Sequence, residues 1–220
     1  LLVSSAASDV YKRQGRDLVI VLGGDGTLTS ISHNIDADTP VIGVNSHPIE
    51  DYPNGSFGFY MDSDVHTFGE DIVTALKGEA IINEIPRLQA IIDTTSGNRF
   101  TTDPAMNDLL IANTHQYAPS KYHLRRDGKK CRQQSSGIVF STWLGQGAWL
   151  NHILEEETLE KLRNKVDYAE IDSHYFVVSR EISHAQRDEN PWSWFDWTDQ
   201  DTVLTSDMHR GYVVPDGWDE

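Results

Sequence analysis

The densest chemistry in this sequence is the run Gly23-Gly24-Asp25-Gly26-Thr27. Glycines at three of five positions let backbone N–H groups approach an anion without Cβ interference. A helix starting here would add unpaired amides and a partial positive charge, so the run reads as a phosphate-binding turn. Asp25 is the odd residue, because a carboxylate beside bound phosphate is costly unless it handles a proton or holds a divalent cation bridging to the phosphates. In phosphoryl transfer it would accept the proton of an attacking hydroxyl. The remaining reading is a plain Gly-Asp-Gly turn. The run is neither a G-x-G-x-x-G dinucleotide fingerprint nor a Walker A loop, for it has no P-loop lysine.

The flanking residues supply the elements that such a turn needs. Asp17 to Leu22 is an apolar run that predicts a buried parallel strand, and Leu28, Ile31 and Ile35 recur at helical spacing after the glycines. Val41 to Val44 predicts a second strand. Ser63 to Lys77 predicts a helix with Val65, Phe68, Ile72 and Leu76 on one face and Gly78 as its stop. Strands alternating with helices imply a parallel α/β sheet with ligands at the carboxyl ends of its strands. After Gly78 the texture becomes β-rich, with predicted strands at Leu88 to Asp93, Leu109 to Ala112, Gly137 to Thr142 and Tyr175 to Ser179. One helical island interrupts them, Glu155 to Lys165, where Leu159 and Leu162 share a face and Glu157 can pair with Lys161. The expected organisation is an N-terminal Rossmann-like α/β domain over residues 15–80 and a C-terminal β-rich domain over 81–220. Residues 1–14 are set aside as a non-native segment resembling a translated cloning adaptor, and the far end reads as cut soon after Val213 to Gly217.

Charge narrows the function. Lys and Arg number 18 against 34 Asp and Glu, a formal net charge of −16. That field repels a phosphate backbone and argues against a nucleic-acid partner. The longest apolar run, Leu18 to Leu22, is far short of the ~20 residues needed to cross a bilayer, so no membrane partner is expected. A single cysteine, Cys131, leaves no disulfide framework or multi-thiolate metal site and fits a cytoplasmic setting. The nine histidines show no metal-ligand spacing, and no metal site built from protein side chains is expected. Asn54-Gly55-Ser56 is a formal glycosylation sequon but reads more simply as a turn.

Four ordered segments resemble the NAD kinase family. The first is the Gly23 to Thr27 turn, shared with diacylglycerol-type lipid kinases and phosphofructokinases. Pro40-Val41-Ile42-Gly43-Val44-Asn45 followed by Gly58-Phe59 is similar to that family's "P-x-x-G-I-N … L-G-F". Ala105-Met106-Asn107-Asp108-Leu109-Leu110-Ile111 is similar to "A-L-N-E-V-V-I", and Ser136 to Thr142 leading to Gly145 and Ala148-Trp149 to "D-G-x-x-x-S-T-P-T-G-S-T-A-Y". Val178-Ser179-Arg180-Glu181 and Asp216-Gly217 add weaker support.

The resemblance implies a kinase that moves a phosphoryl group from ATP or polyphosphate to the 2′-hydroxyl of the adenosine ribose of NAD. Asp25 would be the catalytic proton acceptor, and Gly23, Gly24, Gly26 and Thr27 would hold the phosphates with Mg²⁺ accompanying ATP. Asn45, Phe59, Asn107, Asp108, Ser136, Thr142, Gly147, Ala148 and Trp149 would hold NAD, in a cleft between the domains of a homo-oligomer. By the same resemblance the first strand and helix of the α/β domain are absent. The sequence departs from the family where Ser136 stands for Asp and where Trp143, Leu144, Gln146 and Gly147 replace Pro, Thr, Ser and Thr. Gln146 and the Gly147 N–H can replace some lost hydrogen bonds, and Trp149 can offer a flat apolar face. A kinase of a lipid or sugar phosphate, or a non-catalytic nucleotide binder, stands as the alternative.

Two further features have open readings. Trp192-Ser193-Trp194-Phe195-Asp196-Trp197 alternates like a strand, for core packing, a subunit interface or ligand stacking. Lys121, Arg125, Arg126, Lys129 and Lys130 form the one basic cluster, either a solvated hairpin or a means of neutralising polyphosphate.

Overall fold

Parallel pairing and crossover connection dominate the first part of the chain, whereas antiparallel pairing dominates the second. The structure is a computed structural model, which describes residues 16–164 and 166–217; the adaptor-like segment 1–14 lies outside them. The chain divides after Glu84 into two compact units. Among the described residues no helix is long and apolar enough to cross a membrane.

In the first unit, Val19–Gly23 (β1) runs into Asp25–Ser32 (α1), which returns to Val41–Asn45 (β2). β1 and β2 pair in parallel from Val19–Val41 to Gly23–Asn45. Ser63–Asp64 (β3) adds a short third parallel strand beside Val44 and Asn45. Val21, Val44, Leu28, Ile31 and Ile35 are buried; Leu28 and Ile31 lie on the face that α1 turns inward, and Ile35 follows in the turn after the helix ends at Ser32.

The second helix differs from expectation. It spans Phe68–Leu76 (α2) rather than starting at Ser63. Asp64 Oδ1 accepts the N–H groups of His66 at 2.7 Å and Thr67 at 3.0 Å, a local turn that competes with helix. These two N–H groups also hold the Asp64 carboxyl below its usual range. Gly78, at φ 71, closes the helix in the left-handed conformation. No residue of α2 is buried, and Leu76 is 71% exposed.

The second unit contains Ile91–Asp93 (β4) and Arg99–Thr101 (β5), which form a hairpin, and two larger sheets. Its further strands are Asp108–Asn113 (β6), Ser120–Arg126 (β7), Lys129–Ser135 (β8), Ile138–Ser141 (β9), Tyr175–Ser179 (β10), Phe195–Thr198 (β11), Val203–Ser206 (β12) and Gly211–Pro215 (β13). They order as β11-β10-β9-β6-β13 in one sheet and β12-β7-β8 in the other. Short helices Leu150–Ile153 (α3), Glu156–Arg163 (α4) and His184–Glu189 (α5) lie between strands. Glu157 and Lys161 pair on α4 at 2.6 Å, on the surface.

The central strands are buried on both faces. Leu109, Ile138, Phe140 and Val177 pack with Tyr122 and Leu124 of β7 in one cluster. Their chain neighbours Leu110, Val139, Phe176 and Val178 pack with Leu150 of α3 in the other. Such strands read as continuous apolar runs, which is why β6 and β10 were legible.

The tryptophan-rich run does not form one strand. Pro191–Ser193 is a 3₁₀ turn, since Pro191 has no N–H for a sheet, and only β11 extends. Trp197 packs on Phe176 with ring centroids 4.4 Å apart.

Ile31→Ala is expected to destabilise the first unit by about 2–5 kcal/mol. Leu76→Ala in the same unit should change stability by less than ~0.5 kcal/mol, because little is buried there to lose. Urea denaturation of the two variants checks this difference.

Candidate functional site

In the first unit the structure separates the glycines of the phosphate turn. A Cβ on Gly23 would run into the Thr27 side chain, and one on Gly24 would lie 2.9 Å from Ser56. Both therefore serve internal packing. A Cβ on Gly26 would meet nothing within 4 Å, so this position is open space at the first turn of α1. Its N–H belongs to the part of a helix that has no intrahelical acceptor, which suits it to an anion.

The Asp25 carboxylate sits at the start of α1 and is held by the 56–60 loop. Its Oδ1 accepts the Tyr60 N–H at 2.9 Å, and its Oδ2 accepts the Ser56 hydroxyl at 3.0 Å. Ser56 Oγ in turn accepts the Gly58 N–H at 3.1 Å. Asn45 ends β2 and is buried, donating from Nδ2 to the Ser56 carbonyl at 3.0 Å and accepting the His47 N–H at 3.2 Å. The Asn45 amide thus fixes the loop that fixes Asp25. Phe59 stands on that loop, 59% exposed. Ser56 was visible in the sequence only as part of a turn.

In the second unit the anchor is Asp216, at φ 49 just after β13. Its carboxylate accepts three backbone N–H groups, from Met106 at 2.7 Å, Asn107 at 2.7 Å and Asp108 at 3.0 Å. The Asp216 N–H donates back to the Asp108 carbonyl at 2.8 Å. The entrance to β6 is therefore clamped by the end of the last strand. Thr142 ties the same segment from β9, donating from Oγ1 to the Met106 carbonyl at 2.6 Å and from N–H to the Asn107 carbonyl at 2.8 Å.

Two side chains on this clamped segment stand out. Asn107 is 8% exposed, and its Oδ1 is buried with no hydrogen-bond partner, a costly state that a ligand donor would relieve. Asp108 is 3% exposed, and burial pushes its carboxyl up to about 7, with the negative charge of Asp216 adding to the effect.

Not all the predicted acceptor residues gather here. Asp108 pairs with Ser141 across β6 and β9, whereas Ile111 pairs with Ile138 at the far end. Asn107 and Thr142 are thus at one end of β9 and Ser136 at the other, separated by roughly 3.4 Å for each strand residue. Ser136 donates its hydroxyl to Glu181, and Ser136 N–H and Gly137 O pair with Arg180 O and N–H. Gly147 ends the 3₁₀ turn Leu144–Gly147, followed by Ala148, whose N–H donates to the Gly145 carbonyl. Trp149 packs against the second core cluster, and the Arg180 guanidinium lies 4.9 Å from its ring centroid. This stacking, which the Val178 to Glu181 segment does not signal in the sequence, sets the direction of the Arg180 side chain. Among the described residues no group of three or more His, Cys, Asp or Glu side chains is placed to hold a metal ion.

A β-strand, glycine turn and helix carrying one carboxylate, followed in the chain by a β-rich unit with an Asn-acid pair at a strand entrance, define the class as a two-unit α/β protein with a candidate anion site. The comparisons narrow that class. Residues 6–80 match the model of the ATP-NAD kinase N-terminal domain. The chain is 30% identical over 135 residues to an NAD kinase of Lachnospira eligens, covering 60% of this chain and 43% of the relative. It is 26% identical over 141 residues to an NAD kinase of Thermococcus sibiricus, covering 63% and 46%. It therefore spans less than half the length of these curated relatives. In fold it is similar to an NAD kinase from Archaeoglobus fulgidus solved with ATP, with TM-score 0.66, 15% identity, and 92% of this chain and 69% of that one covered. Yeast NADH kinase complexed with NADH gives TM-score 0.71 at 17% identity, covering 92% and 54%. Over these spans the chain is similar in sequence to NAD kinases, and it has the mixed α/β fold of the two solved structures.

Asp108 gives a pH signature. A carboxyl raised from 3.8 to about 7 on folding contributes stability that is fully present below 3.8 and is lost as pH rises through about 7. Asp108→Asn cannot ionise, so it should flatten the fall in Tm between about pH 5 and pH 8 and raise Tm at the upper end. Thermal melts across that range test it. A wild-type-like slope in the variant would locate the pH dependence elsewhere.

Proposed function

We propose that this protein transfers a phosphoryl group from a polyphosphate donor, ATP in the first instance, to the 2′-hydroxyl of the adenosine ribose of NAD, giving NADP. The observation that carries this reading is a carboxylate positioned by two hydrogen bonds at the start of α1, next to the open first-turn position Gly26. Phosphates would lie against Gly24, Gly26 and Thr27, with Gly23 shaping the turn. Asp25 would accept the proton of the attacking hydroxyl. Each carboxylate oxygen has two lone-pair directions, so the bonds from Ser56 and Tyr60 leave room for it. Catalysis then rests on positioning and electrostatics, as is general for phosphoryl transfer.

Magnesium fits this site as a companion of the nucleotide. It keeps several waters and binds through phosphates with one or two carboxylates, which a turn with a single carboxylate allows. When bound it would neutralise phosphate charge, and Asp25 is the side chain of this turn able to approach it.

In the second unit Asn107 and Asp108 would hold polar groups of NAD, the buried Asn107 Oδ1 accepting a ligand donor. Thr142 contributes by fixing the Asn107 backbone, and Gly147 and Ala148 by their backbone. Trp149 is engaged by the core and by Arg180, so it serves the acceptor less as an open stacking face than as the support of a guanidinium. Ser136 helps to place Arg180 by its N–H bond to the Arg180 carbonyl. In the first unit Asn45 acts through the 56–60 loop, which also presents Phe59.

Asp25→Asn keeps shape but removes the base, and turnover should fall by roughly 10²-fold or more with NAD affinity within a few-fold of wild type. Unchanged turnover would remove Asp25 from the proton-transfer role. Asn107→Ala should weaken NAD binding by about 1–3 kcal/mol, as measured by calorimetry, and ATP binding less. Equal losses for both ligands would move Asn107 out of the acceptor site. Supplying ATP and Mg²⁺ with NAD, NADH, diacylglycerol or fructose 6-phosphate in parallel decides the acceptor. Phosphorylation of lipid or sugar alone would replace the reading, and phosphorylation of none would favour a binding protein.

A further inference from the structure

We propose that the outward face of the β12-β7-β8 sheet binds a compact phosphate-rich anion, a di- or triphosphate group, at a site separate from the glycine turn. The structure splits the basic cluster of the sequence in two. Arg126 turns inward, with its side chain 3% exposed, and donates to Asp196 at 2.7 Å and to the Trp192 carbonyl. His123 and Arg125 of β7 and Lys130 and Arg132 of β8 remain outside and exposed. The register places Arg125 directly opposite Lys130, and His123 directly opposite Arg132.

Like charges directly opposite across two strands are unfavourable. The acid present on this face does not relieve Arg125 and Lys130. Asp207 is shared by His123 at 3.1 Å and Arg132 at 3.2 Å. No ion pair engages Arg125 or Lys130 among the described residues. This concentration of positive charge lies in a chain of net charge −16. Arg125, Lys130, Arg132 and His123, with Val203 and Thr205 of β12, line a shallow groove of about 470 Å³.

The size of the groove and the charge around it select the occupant. A long polyanion such as RNA would extend beyond the groove onto a predominantly acidic protein, and repulsion acts over a Debye length of ~8 Å at physiological salt. A short phosphate chain places its charge within the groove. Two guanidinium forks and an ammonium match phosphate oxygens, arginine by paired N–H bonds and lysine as a point charge. An acidic peptide carries lower charge density on each group and gains most from strand edges, whereas this surface is a sheet face.

Calorimetric titration of the whole chain with inorganic tripolyphosphate at about 0.15 M salt tests the assignment. Binding is expected to weaken at least tenfold in Arg125→Glu/Lys130→Glu and by a smaller factor in the milder Arg125→Gln/Lys130→Gln, with circular dichroism showing that both remain folded. It should persist in Gly26→Glu, which sets a negative side chain in the open first turn of α1; loss of binding in that variant would place the anion at the glycine turn and overturn the assignment. Titration with ATP distinguishes sources. A second equivalent of ATP lost in the charge-reversed protein assigns the groove to nucleotide triphosphates, and tripolyphosphate binding without that second equivalent assigns it to the inorganic chain; either supports the proposal. No tripolyphosphate binding by the wild type, equal binding by the wild type and both double variants, or tighter binding of a glutamate decapeptide would overturn it.

Discussion

Burial of β6, β9 and β10 on both faces is the constraint from which the larger unit follows. A strand with apolar clusters above and below it has no room for an unpaired polar side chain along its length. Polar groups are therefore displaced to strand ends, where Asn107, Asp108 and Thr142 stand at one limit and Ser136, Arg180 and Glu181 at the other. The same constraint explains the internal partners at these ends. Where the backbone leaves the sheet its N–H groups lose their ladder, and the Asp216 carboxylate takes up three of them.

In the smaller unit the Asp25 carboxylate stands at the start of α1 and is held by a loop instead of a strand end. Asn45, Ser56 and Asp25 form a short chain of hydrogen bonds in which each member orients the next. A carboxylate held at both oxygens keeps its orientation in the free protein, and under the proposed reading that leaves little reorganisation for a reaction step.

Legibility in the sequence followed the range of the interaction. Strands β6 and β10 emerged from unbroken apolar runs, and α1 from the spacing of Leu28, Ile31 and Ile35, because those patterns are local. The start of α2 did not emerge, for the competing Asp64 turn depends on side-chain geometry that periodicity ignores. Asp25 and Asn107 were legible from residue type and context. Ser56 was not, since one serine in a loop carries no pattern, and the stacking of the Arg180 side chain on Trp149 is a long-range contact that its segment does not signal. The basic cluster was visible as composition, but its division into a buried Arg126 and an exposed outer face needed the pairing of β7 with β8.

The Asp216 clamp also has a temporal side. It joins residues separated by as many as 110 positions, so the closing of a very long loop precedes its benefit. During synthesis the Met106 to Asp108 segment leaves the ribosome long before the residue that secures it, and chains grow at roughly 5–20 residues per second. For several seconds a nascent chain holds the strand that carries Asn107 without its fastening. The fastening of the Asn-acid pair thus has to wait for Asp216, and a shortened chain would leave that strand entrance unfastened.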